Sequence, residues 1–205
     1  MRSGLTRRLG RVVALSIVGA LAVAELGAAA DFSADMITKG GSMSMNGKVF
    51  VSGKLIRTDA TMGTIKQTTI VRGDKGLVWM VNHADKQYTE TRRNASQMDP
   101  TSIERELKQR ATAKKLGQAK INGFVCDKTL YTFKDKQQGT ATTYVSRQLG
   151  WPVKIEMKSK RGGMTMELKN IKMGKQSASL FQLPAGYKKM QMPKGLPTLP
   201  APKKK

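Results

Sequence analysis

"PVKIEMKSKRGGMTMELK", residues 152–169, alternates apolar and polar side chains on either side of a short basic, glycine-containing break. Val153, Ile155 and Met157 share one parity, and Lys154, Glu156 and Lys158 take the other. After the break, Met164, Met166 and Leu168 alternate with Thr165, Glu167 and Lys169. Period two marks a strand with one buried face, because successive side chains point to opposite sides of the pleat. With "SKRGG" as the turn, Met157 falls opposite Met164 and Ile155 opposite Met166, so both apolar sets face one way. Asn170 breaks the phase before Ile171 and Met173.

The same rhythm spreads outward in both directions. "KVFVSGKLIR" (48–57), "TIKQTTIVR" (64–72), "GLVWMVN" (76–82) and "QYTETRR" (87–93) precede it, with turn residues between them. "INGFVCDKTLYTFKD" (121–135) and "TATTYVSRQ" (140–148) lead into it. Asn46-Gly47 is a two-residue hairpin signal, since a type I′ turn needs positive φ at both positions. That turn would set Met45 opposite Lys48 and Met43 opposite Phe50, with Ser44, Val49 and Val51 on the other side of the pleat. One helix is signalled over about 100–116, with Asp99 or Thr101 as cap and Gly117 as stop. Its apolar stripe is thin (Ile103, Leu107, Ala111), and Arg105, Lys108, Arg110, Lys114 and Lys115 make its other faces basic. A single helix between two strand sets predicts a mainly β (α+β) chain built on one curved antiparallel sheet.

The ends read differently from the middle. Arg2, Arg7, Arg8 and Arg11 precede the apolar run Val12–Ala24 and the small residues ending at Ala30, the pattern of a signal peptide. Expected segments are therefore a signal peptide (1–30), cleaved near Ala30, one domain (31–190) and a Pro/Lys-rich tail (191–205). The 205-residue chain has a formal charge of +23, and removal of the four signal arginines and Glu25 leaves +20. Such a balance suits anionic partners, and export favours lipid head groups or an anionic membrane surface over nucleic acid. Cys126 is the one cysteine, so no intramolecular disulfide staples the fold.

Several stretches together resemble a known group. "GKVFVSGKLIRTD", "TIVRGDKGLVWMVNHADKQYTE", "INGFVCDKTLYTF", "GWPVKIEM" and "LFQLPAGYKKM" are similar to exported bacterial proteins of uncharacterised function in the LolA-like group, named after the periplasmic carrier of outer-membrane lipoproteins. The likeness runs in order from roughly Asp31 to Met192. It implies an open half-barrel whose concave face holds acyl chains under a helical lid.

Catalytic constellations are poor. His83 is the one histidine and reads as a solvated turn residue, with only Asp85 near it in sequence. No pair of carboxylates is marked as convergent, and zinc would need three or four N, S or O ligands. Thirteen methionines raise a softer option, copper(I) held by Met36, Met43 and Met45. Methionine also lines surfaces that adapt to varied apolar ligands, and only 5% of residues are aromatic, leaving little to plug a concave sheet.

The expectation is a non-catalytic periplasmic carrier, without cofactor, for an acyl chain, lipoprotein or lipid-like ligand. The candidate pocket wall is Met43, Met45, Phe50, Trp79, Ile155, Met157, Met164 and Met166. The candidate rim for an anionic head group is Arg57, Arg72, Lys108 and Lys115. A copper(I) binder and an envelope adaptor with a basic surface stand as alternatives.

Overall fold

The computed structural model describes residues 30–41, 43–92, 109–160 and 162–190. They form one sheet of twelve strands: β1 (Phe32–Gly40), β2 (Met43–Ser52), β3 (Leu55–Met62), β4 (Ile65–Arg72), β5 (Leu77–Asn82), β6 (Gln87–Arg92), β7 (Ala111–Ile121), β8 (Phe124–Phe133), β9 (Thr140–Ser146), β10 (Trp151–Ser159), β11 (Gly162–Met173) and β12 (Lys188–Lys189). The spatial order is β12-β6-β5-β4-β3-β2-β1-β11-β10-β9-β8-β7. Two meanders, β1–β6 and β7–β11, are zipped together by antiparallel pairing of β1 with β11. Only β12 pairs in parallel, on β6.

The β10–β11 hairpin has the register that alternation predicts, with Met157 opposite Met164 and Ile155 opposite Met166. Asn170 takes φ 49° beside a register shift between β1 and β11. A phase break in the sequence is thus a β-bulge in the sheet.

The Asn46-Gly47 hairpin is not formed. β2 runs straight through both residues, with Asn46 opposite Ile37 and Thr61, and Gly47 opposite Met36 and Ala60. The turn lies earlier, at Gly41, so Met43 pairs with Gly40 and Met45 with Thr38. Gly47 is needed for a different reason: a Cβ there would sit 2.2 Å from the Asp59 carbonyl oxygen. Glycine inside a strand often marks such close backbone approach. The Asn-Gly that does turn is Asn122-Gly123, both at positive φ (48° and 88°), between Ile121 and Phe124.

The predicted helix is also corrected. Residues 111–116 belong to β7, whose backbone is satisfied by β8 from Ala111–Phe133 to Ile121–Phe124. Pairing with a neighbouring strand outweighs a stripe of only three apolar residues, and Gly117 sits at a bulge, φ 86°, rather than at a helix end. Of the rest of that segment only Gln109 and Arg110 are described, and these two helical residues do not make a lid; residues 100–108 lie outside the described residues, as do residues 1–29 and 191–205.

The sheet curls strongly at one end. Asn122 Nδ2 donates to the Leu168 carbonyl oxygen at 2.7 Å and to Glu167 Oε1 at 2.8 Å. β8 lies three strands from β11 in the sheet, about 14 Å if flat, so the β7–β8 turn meets β11 only by bending back. Inside the curl is the largest apolar cluster, with Phe32, Met36, Val49, Val51, Val153, Ile155, Met166 and Leu168 buried together. A second cluster, on Ile70, Val81 and Phe181, lies under the C-terminal segment.

Candidate ligand-binding face

Alternation assigns every residue of β1–β6, β10 and β11 to one of two faces, and the cross-strand registers link these faces between strands. On face one, successive rows read Val51–Ile56–Val71–Val78–Thr91, then Val49–Thr58–Thr69–Met80–Thr89. Gly47–Ala60–Gln67–Asn82–Gln87 forms the next row. On the other side of β2 the same face continues through Phe32, Ala34, Met36 and Thr38 into Leu168, Met166, Ile155 and Met157. No Lys, Arg, Asp or Glu occurs at any face-one position of these eight strands, in a chain that is 25% charged. Face two carries the charges.

The methionines converge on face one. Met45 of β2, Thr38 of β1, Met166 of β11 and Ile155 of β10 form one continuous row. Gly40, Met164 and Met157 form the next row, and Met43 occupies the register position opposite Gly40. Met36 lies one row the other way, opposite Leu168 and Gly47. Ile155, Met36 and Met166 are buried, while Met45, Met157 and Met164 are half-buried. In the middle of this thioether wall stands Thr38, 5% exposed. Its hydroxyl oxygen is the one buried side-chain polar atom among the described residues without a hydrogen-bond partner. At the strand ends an open cleft of about 380 Å³ is lined by Met157 and Met164 together with Lys39 and Lys158.

Phe50 and Trp79 are not part of this wall. Both lie on face two, in the cluster around Ile70, Val81 and Phe181. Their row runs Phe50–Arg57–Ile70–Trp79–Glu90. The misplaced hairpin accounts for Phe50, since a strand running straight through residue 47 gives Phe50 the parity opposite to Met43 and Met45.

The candidate rim residues are likewise placed elsewhere. Arg57 Nε lies 3.0 Å from both Asp59 oxygens, and its Nη1 donates to the Leu180 carbonyl at 3.0 Å. Arg72 pairs with Asp74 at 2.9 and 2.7 Å, donates from Nη1 to the Phe181 carbonyl at 3.3 Å, and lies 6.0 Å from the Trp79 ring centre. Each Arg-x-Asp step sets a guanidinium against the carboxylate two residues on, Asp59 within β3 and Asp74 in the turn after β4. Together they clamp the short 3-10 helix Ala178–Phe181 onto the sheet. The hydrogen bond from Arg72 holds the Asp74 carboxyl below the usual range. Lys115 is exposed on β7, at the sheet's edge, and Lys108 lies outside the described residues.

A polar chain that sequence spacing does not reveal continues this clamp. The Thr68 hydroxyl donates to Asp59 Oδ1 at 2.6 Å and lies 2.8 Å from His83 Nε2. With its proton given to Asp59, Thr68 accepts from Nε2–H, and His83 Nδ1 accepts from the Tyr187 hydroxyl at 2.8 Å. His83 is therefore bonded at both ring nitrogens rather than solvated in a turn. The Asp–Thr–His order resembles nucleophile activation, but Thr68 is 1% exposed, leaving no approach for a substrate. Two Arg-x-Asp steps are the only sequence signal of the clamp; Thr68, His83 and Tyr187 meet through long-range pairing.

Cys126 is fully buried inside the curl, and burial pushes its thiol up to about 11. Among the described residues no three His, Cys, Asp or Glu side chains gather as a metal site.

An uncharacterized conserved protein from Thermus thermophilus has a crystal structure similar to this chain at 11% identity, over 79% of this chain and 90% of that one, with a TM-score of 0.58. A chain of the Pseudomonas aeruginosa MucA/MucB complex is similar at 13% identity, with a TM-score of 0.54, over 76% of this chain and 56% of that one. The present chain thus spans little more than half of that relative. Further matches include a "putative outer membrane lipoprotein-sorting protein domain" from Vibrio parahaemolyticus (11% identity, 74% and 89% coverage, TM-score 0.33). Such identities speak to the fold alone. A comparison with curated proteins returned no match. A family described as a domain of unknown function, DUF4412, matches residues 33–150 and 146–187, and the chain belongs to that family.

Proposed function

We propose that this protein is a non-catalytic binding or carrier protein of the bacterial cell envelope that holds an acyl chain or lipid-like ligand on face one. The observation that carries this reading is the uncharged face itself, onto which β1, β2, β10 and β11 bring Met36, Met45, Met157, Met164 and Met166. Flexible, polarizable thioethers fit chains of varied shape. Burying each methylene contributes about 0.8 kcal/mol, so no covalent step is needed. The unpartnered Thr38 hydroxyl gives such a ligand one hydrogen-bonding point within an otherwise apolar wall.

The test is native mass spectrometry of protein purified from cell envelopes, followed by solvent extraction. The reading expects bound fatty acid, phospholipid or lipoprotein acyl chains; a spectrum showing only the bare polypeptide sinks it. The copper(I) alternative draws on Met36 and Met45, diagonal neighbours across β1 and β2. It requires Cu(I) affinity that falls when both become Leu, a change that leaves acyl binding nearly intact.

A further inference from the structure

The charged face has a feature that acyl binding alone does not use. On the four neighbouring strands β2, β1, β11 and β10, face two presents Lys39, Lys48, Lys158, Lys169 and Lys172, all exposed. Among the described residues none of the five lies within ion-pair distance of a carboxylate, whereas Arg57, Arg72, Arg147, Lys154 and Lys189 all do.

The acids interspersed among them are already engaged. Asp35 accepts from Asn170 Nδ2 at 2.7 Å, and Glu167 accepts from Asn122 Nδ2 at 2.8 Å. Glu156 pairs with Lys154 at 2.7 Å and accepts the Tyr144 hydroxyl at 3.1 Å. These acids offset part of the array, Asp35 lying opposite both Lys48 and Lys169 in the register, but on the four strands face two sets six lysines against three carboxylates and so keeps a net positive charge.

The cleft at the strand ends joins the two faces. Lys39 and Lys158 reach it from the lysine face, Met157 and Met164 belong to the thioether wall, and Gly40, Gly41 and Gly163 leave its floor without side chains. Its volume of about 380 Å³ falls at the small end of the range for ligand sites, about 300–1,000 Å³. An amphiphile whose head stays with the lysines would have its chain directed at Met157 and Met164.

From this juxtaposition we propose that the lysine face of β2, β1, β11 and β10 docks on an anionic bilayer surface, with the cleft as the point where a lipid chain passes to face one. The proposal rests on the acyl-binding reading for its second half only. Charge complementarity favours anionic head groups. The array is built of lysines, compact point charges suited to scattered phosphates, with no arginine fork to read bases. It also presents no exposed aromatic ring for bases to stack on.

The test is co-sedimentation of the full-length protein with vesicles of phosphatidylcholine alone or mixed with phosphatidylglycerol. Binding is expected with the mixed vesicles only, and is expected to fade at high salt. The variant Lys48→Gln/Lys169→Gln/Lys172→Gln, which leaves the cleft lining untouched, should partition at least about tenfold more weakly, as each lysine near the surface contributes. Its thermal unfolding and its binding of a neutral fluorescent fatty alcohol should be unchanged. Equal partitioning of variant and parent, equal binding to uncharged vesicles, or tighter binding to a DNA duplex than to mixed vesicles would each overturn the docking proposal. Failure of the fatty alcohol to bind the parent protein overturns the acyl reading instead, whatever the vesicles show.

Discussion

His83 Nδ1 lies 2.8 Å from the Tyr187 hydroxyl, a bond between a turn of the first meander and a segment 104 residues later. It ends the chain Arg57–Asp59–Thr68–His83–Tyr187, in which every donor points toward the Asp59 carboxylate. The two rings also meet edge to face, 5.7 Å between centres. Cutting the chain at its outer end leaves the sheet intact and frees the segment. Tyr187→Phe should cost about 1 kcal/mol and raise amide exchange in residues 177–190 while β4 and β5 stay protected. Unchanged exchange in that segment would show that Arg57 and Arg72 hold it without the histidine.

Gly47 and Asn46 separate a strand from a turn by experiment. In a type I′ turn Asn46→Val would be severely unfavourable, since a β-branched residue resists positive φ. Within β2, where Asn46 is exposed, it should change stability by no more than about 0.5 kcal/mol. Gly47→Ala should behave in the opposite way, because its methyl group meets the Asp59 carbonyl oxygen; a loss of about 2 kcal/mol is expected. Urea unfolding of the two variants measures both.

These positions also mark where the sequence is legible. The β10–β11 register is local, set by alternation on both arms of one hairpin, and its prediction holds at Met157–Met164 and Ile155–Met166. Two Asn-Gly dipeptides are locally alike, yet only Asn122-Gly123 turns. The pairing that keeps Met45 beside Thr38 and Val49 beside Ala34 decides against a turn at Asn46-Gly47. A turn there reverses the parity of Phe50, which is why that residue is expected on the wrong face. Residues 111–116 carry a helix signal because their strand partner, β8, comes later in the chain and leaves no mark on β7's own pattern. The charge-free face is legible strand by strand, but its extent needs the register of all eight strands.

Acid should weaken the fold in a definite window. Asp74, beside Arg72, and Glu156, beside Lys154, have carboxyls held below their ordinary values of 3.8 and 4.5, chiefly by those hydrogen bonds. A depressed carboxylate contributes stability that is complete above its unfolded pKa and is lost as pH falls through its folded pKa. The urea midpoint should therefore hold steady from neutral pH to about pH 5 and decline below about pH 4. Asp74→Asn/Glu156→Gln should be less stable at pH 7 and show a shallower decline; an equally steep decline would place the acid sensitivity elsewhere.

Cys126 supplies a probe of the curled end. Its thiol is fully buried and pushed up to about 11, so little thiolate exists at pH 8 and none of it is accessible. Reaction with a disulfide reagent at pH 8 should be slower than for the unfolded chain by at least about a hundredfold, and should accelerate in step with global unfolding. Rapid labelling of the folded protein would mean that the β7–β8 end opens locally.

Thr38 gives the sharpest link between stability and function. Its hydroxyl is buried between Met45 and Met166 and bonds to no described group. An unmet buried hydroxyl costs folding free energy, about 1–3 kcal/mol. Thr38→Val keeps the shape and removes the cost, so the unliganded protein should gain about 1 kcal/mol in urea unfolding. If the hydroxyl serves a ligand's carbonyl or hydroxyl group, the same variant should bind a fatty-acid ester several-fold more weakly while binding a plain alkane chain as before. A residue kept at a loss to stability and a gain to binding is the signature of a ligand-facing group. A variant that is less stable and binds equally well would instead make Thr38 a structural residue of β1, and the ligand would have to lie elsewhere on face one.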